Sequence, residues 1–106
     1  MFATNFTVQD NSIRYTRGSD NLTTWGQNET PVTGGTMTNA FCKTCGTLMW
    51  RQGSTFPGTK FMRVGTVDDL HLHETILRPQ KEYFIENRPD WWHGVEHAKQ
   101  IVGFFE

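Results

Sequence analysis

The segment FCKTCGTLMW, residues 41–50, decides how the rest of the chain is interpreted. It places two cysteines, Cys42 and Cys45, with two residues between them and a glycine directly after the second. The β-prone run of residues 47–50 follows, so we predict a strand that leaves the cysteine turn. A cysteine pair of this kind is typical of a metal-binding knuckle, in which both sulfurs lie about 2.3 Å from one zinc ion.

The same spacing allows two other interpretations. A redox pair is expected at a helix N-terminus, where the helix dipole lowers a thiol pKa, whereas here a β-type run follows. An inert or disulfide-linked pair is the third possibility. Gly46 favours the knuckle, because a sharp turn lets backbone N–H groups point at the thiolates.

The composition predicts one folded domain that spans residues 1–106. Hydrophobic residues make up only 36% of the chain, but aromatic residues reach 13%, so a few large side chains can supply the core. Charged residues account for 20%, which argues against a disordered chain.

Charge and hydropathy argue against a nucleic-acid partner, a membrane-spanning segment and a signal peptide. The net charge is −1 and the basic residues are scattered singly, so no nucleic-acid partner is expected. No apolar stretch is long enough to span a membrane, and MFATNFTVQD lacks the pattern of a signal peptide. We therefore expect a cytoplasmic protein, in which the Asn-x-Thr motifs at Asn5, Asn21 and Asn28 are chance matches.

Short β-prone runs separated by polar turns predict a mainly β fold with at most one short helix. The segment after Pro89 is predicted to form that helix or an irregular wrap. The predicted strands are Phe6–Val8, Ile13–Thr16, Leu22–Trp25, Thr47–Trp50, Phe61–Val67 and Lys81–Ile85.

A structural zinc needs four ligands, and the chain has only two cysteines. The histidine pairs that could complete the site are His71 with His73 and His93 with His97. The first pair would share one strand face, although the acidic residues beside it, Asp68, Asp69 and Glu74, favour a solvated turn. Either pair can also be an ordinary set of surface histidines. A third possibility is a homodimer in which Cys42 and Cys45 of two chains share one zinc.

Other polar and aromatic residues also have a structural and a functional interpretation. Asp68 and Asp69 suit a turn or a helix cap better than acid–base catalysis. Arg88 can bind an anionic substrate or form a salt bridge to Glu82 or Glu86. Trp91 is predicted to be buried and Trp92 partly exposed.

These segments together resemble the glutathione-dependent formaldehyde-activating enzyme family, also called the centromere protein V/GFA domain family, and its fungal members most of all. The resemblance covers essentially the whole chain. The residues that carry it are FCKTCGT at 41–47, RVGTVDD at 63–69, Pro79, Glu82 to Phe84, Arg88 and Trp91, with Phe2 to Phe6 and Gly18 upstream.

The resemblance implies an Mss4-like fold of packed, twisted antiparallel sheets and two zinc sites. One family site combines an early C-x-C with the pair that matches Cys42 and Cys45. The other, taken as catalytic, uses a C-x-C-x-x-C cluster that would precede Phe2. Both upstream clusters are missing from this chain, so the zinc site at Cys42 and Cys45 is expected to be incomplete.

The resemblance also implies a carbon–sulfur lyase type of enzyme that acts on a small-molecule substrate. Because the catalytic zinc ligands are absent, we expect a different small molecule, such as a biosynthetic intermediate. The candidate catalytic residues are then Asp68, His71, His73 and Arg88. The alternative is a non-catalytic binding domain, with or without zinc.

Overall fold

Five of the strands form one antiparallel sheet in a computed structural model that describes residues 2–105. No α-helix occurs in this part of the chain, and its helical turns are 3-10 turns of at most five residues. The predicted mainly β class is confirmed. The strands are β1 (Asn5–Gln9), β2 (Leu22–Gln27), β3 (Met37–Cys42), β4 (Leu48–Gly53), β5 (Thr59–Arg63), β6 (Lys81–Glu82) and β7 (Lys99–Gln100).

The chain divides into two compact units, the first ending at Asp68 and the second beginning at Asp69. The first unit contains the large sheet, with the strand order β1-β5-β4-β3-β2. The second contains the short parallel pair β6 and β7. That the whole chain behaves as a single domain stays a prediction.

Ala40 on β3, the strand between β2 and β4 in the large sheet, is fully buried. Its neighbours across the sheet are Thr24 on β2 and Trp50 on β4. The register between β3 and β4 shifts directly after Ala40, which is the mark of a β-bulge. The bulge lies two residues before Cys42, at the end of β3 where the cysteine turn begins.

Two strand predictions need correction in the first unit. The predicted strand Ile13–Thr16 is absent, because this run pairs with no strand and leaves Tyr15 half exposed. The predicted strand Phe61–Val67 begins earlier and ends at Arg63. There the Thr66 hydroxyl donates to the Arg63 carbonyl over 2.7 Å, and such a local bond favours a turn over a continued ladder.

The second unit is built from turns around Ile101, which is 5% exposed. The predicted strand Lys81–Ile85 is shortened to two residues, because Phe84 adopts a left-handed backbone conformation with φ of 56°. After Pro89 the irregular wrap is confirmed in place of the helix. Gly94 and His97 have positive φ angles there, which interrupt a right-handed helix.

Within the described residues, no helix has the length and apolar character that crossing a membrane requires.

Candidate functional site

The two cysteines lie on the tight turn that joins β3 to β4. The amide of Gly46 donates to the carbonyl of Cys42 over 2.8 Å, and the amide of Cys42 donates to the carbonyl of Thr47 over 2.9 Å. Gly46 has φ of 76°, a conformation that glycine adopts without steric cost. The turn is therefore closed by its own backbone, as the glycine after Cys45 predicts.

Asn21 holds the Cys42 side of the turn. Its side-chain amide donates to Cys42 Sγ over 3.4 Å and to Thr44 Oγ1 over 3.0 Å. The backbone carbonyl of Asn21 accepts from the backbone amide of Lys43, and the backbone amide of Asn21 donates to the carbonyl of Gly18. Asn21 therefore joins a preceding turn to the cysteine turn. In the sequence, the polar turn before β2 is the only sign of this role.

Thr47 holds the Cys45 side. Its hydroxyl lies 3.1 Å from Cys45 Sγ. Hydrogen bonds from the hydroxyl and the backbone N–H of Thr47, and a further one from the Cys42 thiol, hold the pKa of Cys45 below its usual range. Cys42 is half-buried, Cys45 is exposed, and both are free thiols. The two thiols therefore lie on one turn, and the Cys45 side of it is open to solvent.

The donor set fits a zinc site only in part. Thiolates are normal zinc ligands, but a structural site needs four of them or their equivalents. Across residues 2–105 no group of three or more His, Cys, Asp or Glu side chains is arranged to hold a metal ion. These residues therefore supply two zinc ligands and no complete site.

His71 and His73 do not share a strand face; they lie on a turn, as the acidic residues beside them predict. They belong to the 3-10 turn Leu70–Glu74, in which residues two apart point in different directions. His71 is exposed, whereas His73 is half-buried and its Nε2 has no hydrogen-bond partner. His93 and His97 are both exposed, and His97 Nε2 lies 3.3 Å from Glu96.

The four predicted catalytic residues are divided between the two units. Asp68 is exposed at the end of the first unit, and the others belong to the second. Among the described residues of the second unit, no hydrogen bond or ion pair joins His71, His73 and Arg88 to one another. Asp69 caps the turn by accepting from the His71 amide over 3.0 Å, which confirms its predicted capping role.

Arg88 pairs with Glu82, with 3.6 Å between Nη1 and Oε2, which is the salt bridge that the sequence allowed. Glu82 also accepts from Trp92 Nε1, the Val95 amide and Gln100 Nε2 at 3.1, 3.0 and 2.7 Å. The prediction that Trp91 is buried is wrong, because its side chain is 65% exposed, whereas Trp92 is partly exposed as predicted.

The second unit has a shallow cleft of about 260 Å³, which none of the four predicted catalytic residues lines. Arg78 reaches across to the carbonyl of Glu96 at 3.4 Å. The lining residues are Thr75, Arg78, Pro79, Gln80, Glu96 and His97.

The fold and the site define a small β-sheet protein with a cysteine knuckle between adjacent strands. Residues 1–87 match the family model described as glutathione-dependent formaldehyde-activating enzyme. The match covers most of the chain, which therefore belongs to this family. Comparison with curated proteins and with solved structures gave no match.

Proposed function

We propose that this chain is a small-molecule enzyme domain of the carbon–sulfur lyase type, with Cys42 and Cys45 as two of the four ligands of a zinc ion. The observation that carries the proposal is the closed turn that presents both sulfurs together beside a solvent-exposed face. Family membership supports the reaction class, with a thiol adduct of a small carbonyl compound as the kind of substrate.

The surroundings of the two sulfurs support their role as metal ligands. Asn21 donates to Cys42, and Thr47 donates to Cys45 in its thiolate form. Hydrogen bonds of this kind orient metal ligands and stabilise their charge, and they are as much part of a metal site as the ligands themselves. The proposed location is the cytosol, where a reducing environment keeps both thiols available.

A second copy of the chain is the proposed source of the two missing ligands. The exposed position of Cys45 at the tip of the β3–β4 turn allows two such turns to approach each other. Four thiolates would then surround one zinc, which is a normal structural donor set.

Metal content and mass measured together test this arrangement. We expect about half a zinc per chain and a dimer by native mass spectrometry, with both lost in Cys45→Ser. The matched control is Thr44→Ser in the same turn, which should keep the metal. One zinc per chain in a monomer would contradict sharing between copies, and a folded protein that takes up no zinc would overturn the metal role.

A non-catalytic binding domain is the second candidate. It is favoured by the failure of His71, His73 and Arg88 to form one cluster and by the engagement of Arg88 with Glu82. The reaction of the zinc-loaded protein with the glutathione adduct of formaldehyde, followed by NMR, separates the two candidates. Acceleration of carbon–sulfur bond cleavage that Cys42→Ser abolishes supports the enzyme. The uncatalysed rate with this adduct and with the glutathione adducts of other small aldehydes supports the binding domain.

A further inference from the structure

The two thiols of Cys42 and Cys45 are enough ligands for a metal ion that needs only two, although they are too few for zinc. Cys42 and Cys45 are the only cysteines of the chain, and the turn that carries both is closed by backbone hydrogen bonds from Gly46 to Cys42 and from Cys42 to Thr47. Zinc requires two further ligands, which the described residues do not supply. A soft monovalent cation is satisfied by two thiolates.

The side chains recorded in hydrogen bonds at this turn include no carboxylate and no imidazole. Asn21, Thr44 and Thr47 make the contacts recorded at this turn, and all three are uncharged. Carboxylates and histidines are therefore not part of the cluster, which disfavours magnesium, calcium and manganese. Lys43 lies between the cysteines in the chain and brings positive charge to the turn.

We infer that Cys42 and Cys45 of one chain form a binding site for copper(I). Thiolates are soft ligands and select copper(I) over the harder divalent ions. Binding exchanges two thiol protons for one Cu⁺, with no change in oxidation state, and leaves a dithiolate complex of net charge −1 that Lys43 partly balances. The exposure of Cys45 lets a small thiol deliver the ion by ligand exchange.

This inference goes beyond the proposed zinc function, since it needs only one chain. Both sulfurs lie on a turn that the backbone already closes, so the second Cu–S bond forms at high effective concentration. The site should therefore keep copper(I) in competition with single thiols such as glutathione.

The test is an anaerobic titration of the reduced, metal-free chain with the coloured copper(I)–bicinchoninate complex. We expect one copper(I) to be withdrawn per chain, with the protein still a monomer by size-exclusion chromatography. Cys42→Ser and Cys45→Ser should each reduce the withdrawal at least tenfold. The control Met49→Leu removes a nearby soft thioether and should leave it unchanged.

Three outcomes would overturn the inference. The first is a wild-type chain that leaves the copper on the probe. The second is a serine variant that withdraws as much copper as the wild type. The third is loss of the bound copper to millimolar glutathione. Circular dichroism of each variant checks that it is folded. Cys45→Ser changes an exposed side chain, so this variant should fold and give an interpretable titration. Zinc uptake is measured separately, so the zinc proposal and the copper inference can fail independently.

Discussion

Trp92 donates its indole N–H to the carboxylate of Glu82 over 3.1 Å, ten positions apart in the chain. The same carboxylate accepts from the Val95 amide and from Gln100. Arg88 adds positive charge at 3.6 Å. Between residues 90 and 105 the chain has no helix and only a two-residue strand, and three N–H groups of this segment donate to this one carboxylate.

Replacement of Glu82 by glutamine should destabilise the protein by about 1–3 kcal/mol. The substitution removes the charge and places an N–H₂ group opposite other donors, and hydrogen bonds to a charged group contribute about 1.5–3 kcal/mol. The free energy of unfolding in urea measures the effect. The control Glu29→Gln alters an exposed side chain and should change stability by less than about 0.5 kcal/mol. Equal effects of the two substitutions would show that the Glu82 contacts contribute little.

The stability of the protein should fall in acid partly because of Glu82. Burial raises the pKa of Glu82, but the hydrogen bonds from Gln100, Val95 and Trp92 and the charge of Arg88 outweigh it and hold the pKa below its ordinary value. A carboxylate with a depressed pKa stabilises the fold fully above its unfolded pKa of about 4.3 and loses that effect as the pH falls through the folded pKa.

Urea unfolding of the wild type and of Glu82→Gln between neutral pH and about pH 3 measures this dependence. The difference between the two proteins should shrink as the pH falls. A shallower slope should remain in the variant, because Lys60 also lowers the pKa of Asp10. A difference that is independent of pH would contradict the role of the Glu82 charge.

Alanine at Gly94 should destabilise the protein by about 2 kcal/mol or more. Gly94 has φ of 91°, and a Cβ atom there would collide with Arg88 Nη1 and Glu82 Oε2. Gly65→Ala is the matched control, because a Cβ at Gly65 meets nothing within 4 Å and its φ is not positive. Thermal unfolding should show a lower midpoint for the first variant alone, and an unchanged midpoint would refute the close approach.

Thr47→Val should slow the alkylation of Cys45 by iodoacetamide in the reduced, metal-free protein at neutral pH. The valine removes the hydroxyl that contributes most to the lowered pKa of Cys45 but keeps the backbone N–H, so the thiolate fraction should fall. Thr47→Ser restores a hydroxyl and should restore the rate. Mass spectrometry of the modified peptide measures the rate at each cysteine. A valine variant that reacts as fast as the wild type would exclude the hydroxyl as the cause.

Ile101→Ala should cost about 2–5 kcal/mol of unfolding free energy, because it leaves a cavity where the second unit has its most buried apolar side chain among the described residues. Val102→Ala, which shortens a side chain that is 70% exposed, is the control and should have little effect. Chemical denaturation compares the two. Similar losses for both would place the core of this unit elsewhere.

The features that depend on a few adjacent residues were predictable. The cysteine turn follows from two cysteines and a following glycine, and the capping role of Asp69 follows from a short acceptor placed before a turn. Strands β1 and β2 were found from their β-branched and aromatic residues. The strand predicted at Ile13–Thr16 does not form, because β-prone residues form a strand only where a partner strand is present to pair with them.

The sequence by itself determined the mainly β class, the family and the paired thiols, because each is encoded in local pattern and spacing. Only the tertiary structure decided that Asn21 supports Cys42 from 21 positions away, that Glu82 gathers Trp92 and Gln100, and that Trp91 is the exposed member of its pair. The physical reason is that hydrogen bonding and burial depend on which distant segments the fold brings together. The residues adjacent to a position in the sequence do not determine which segments those are.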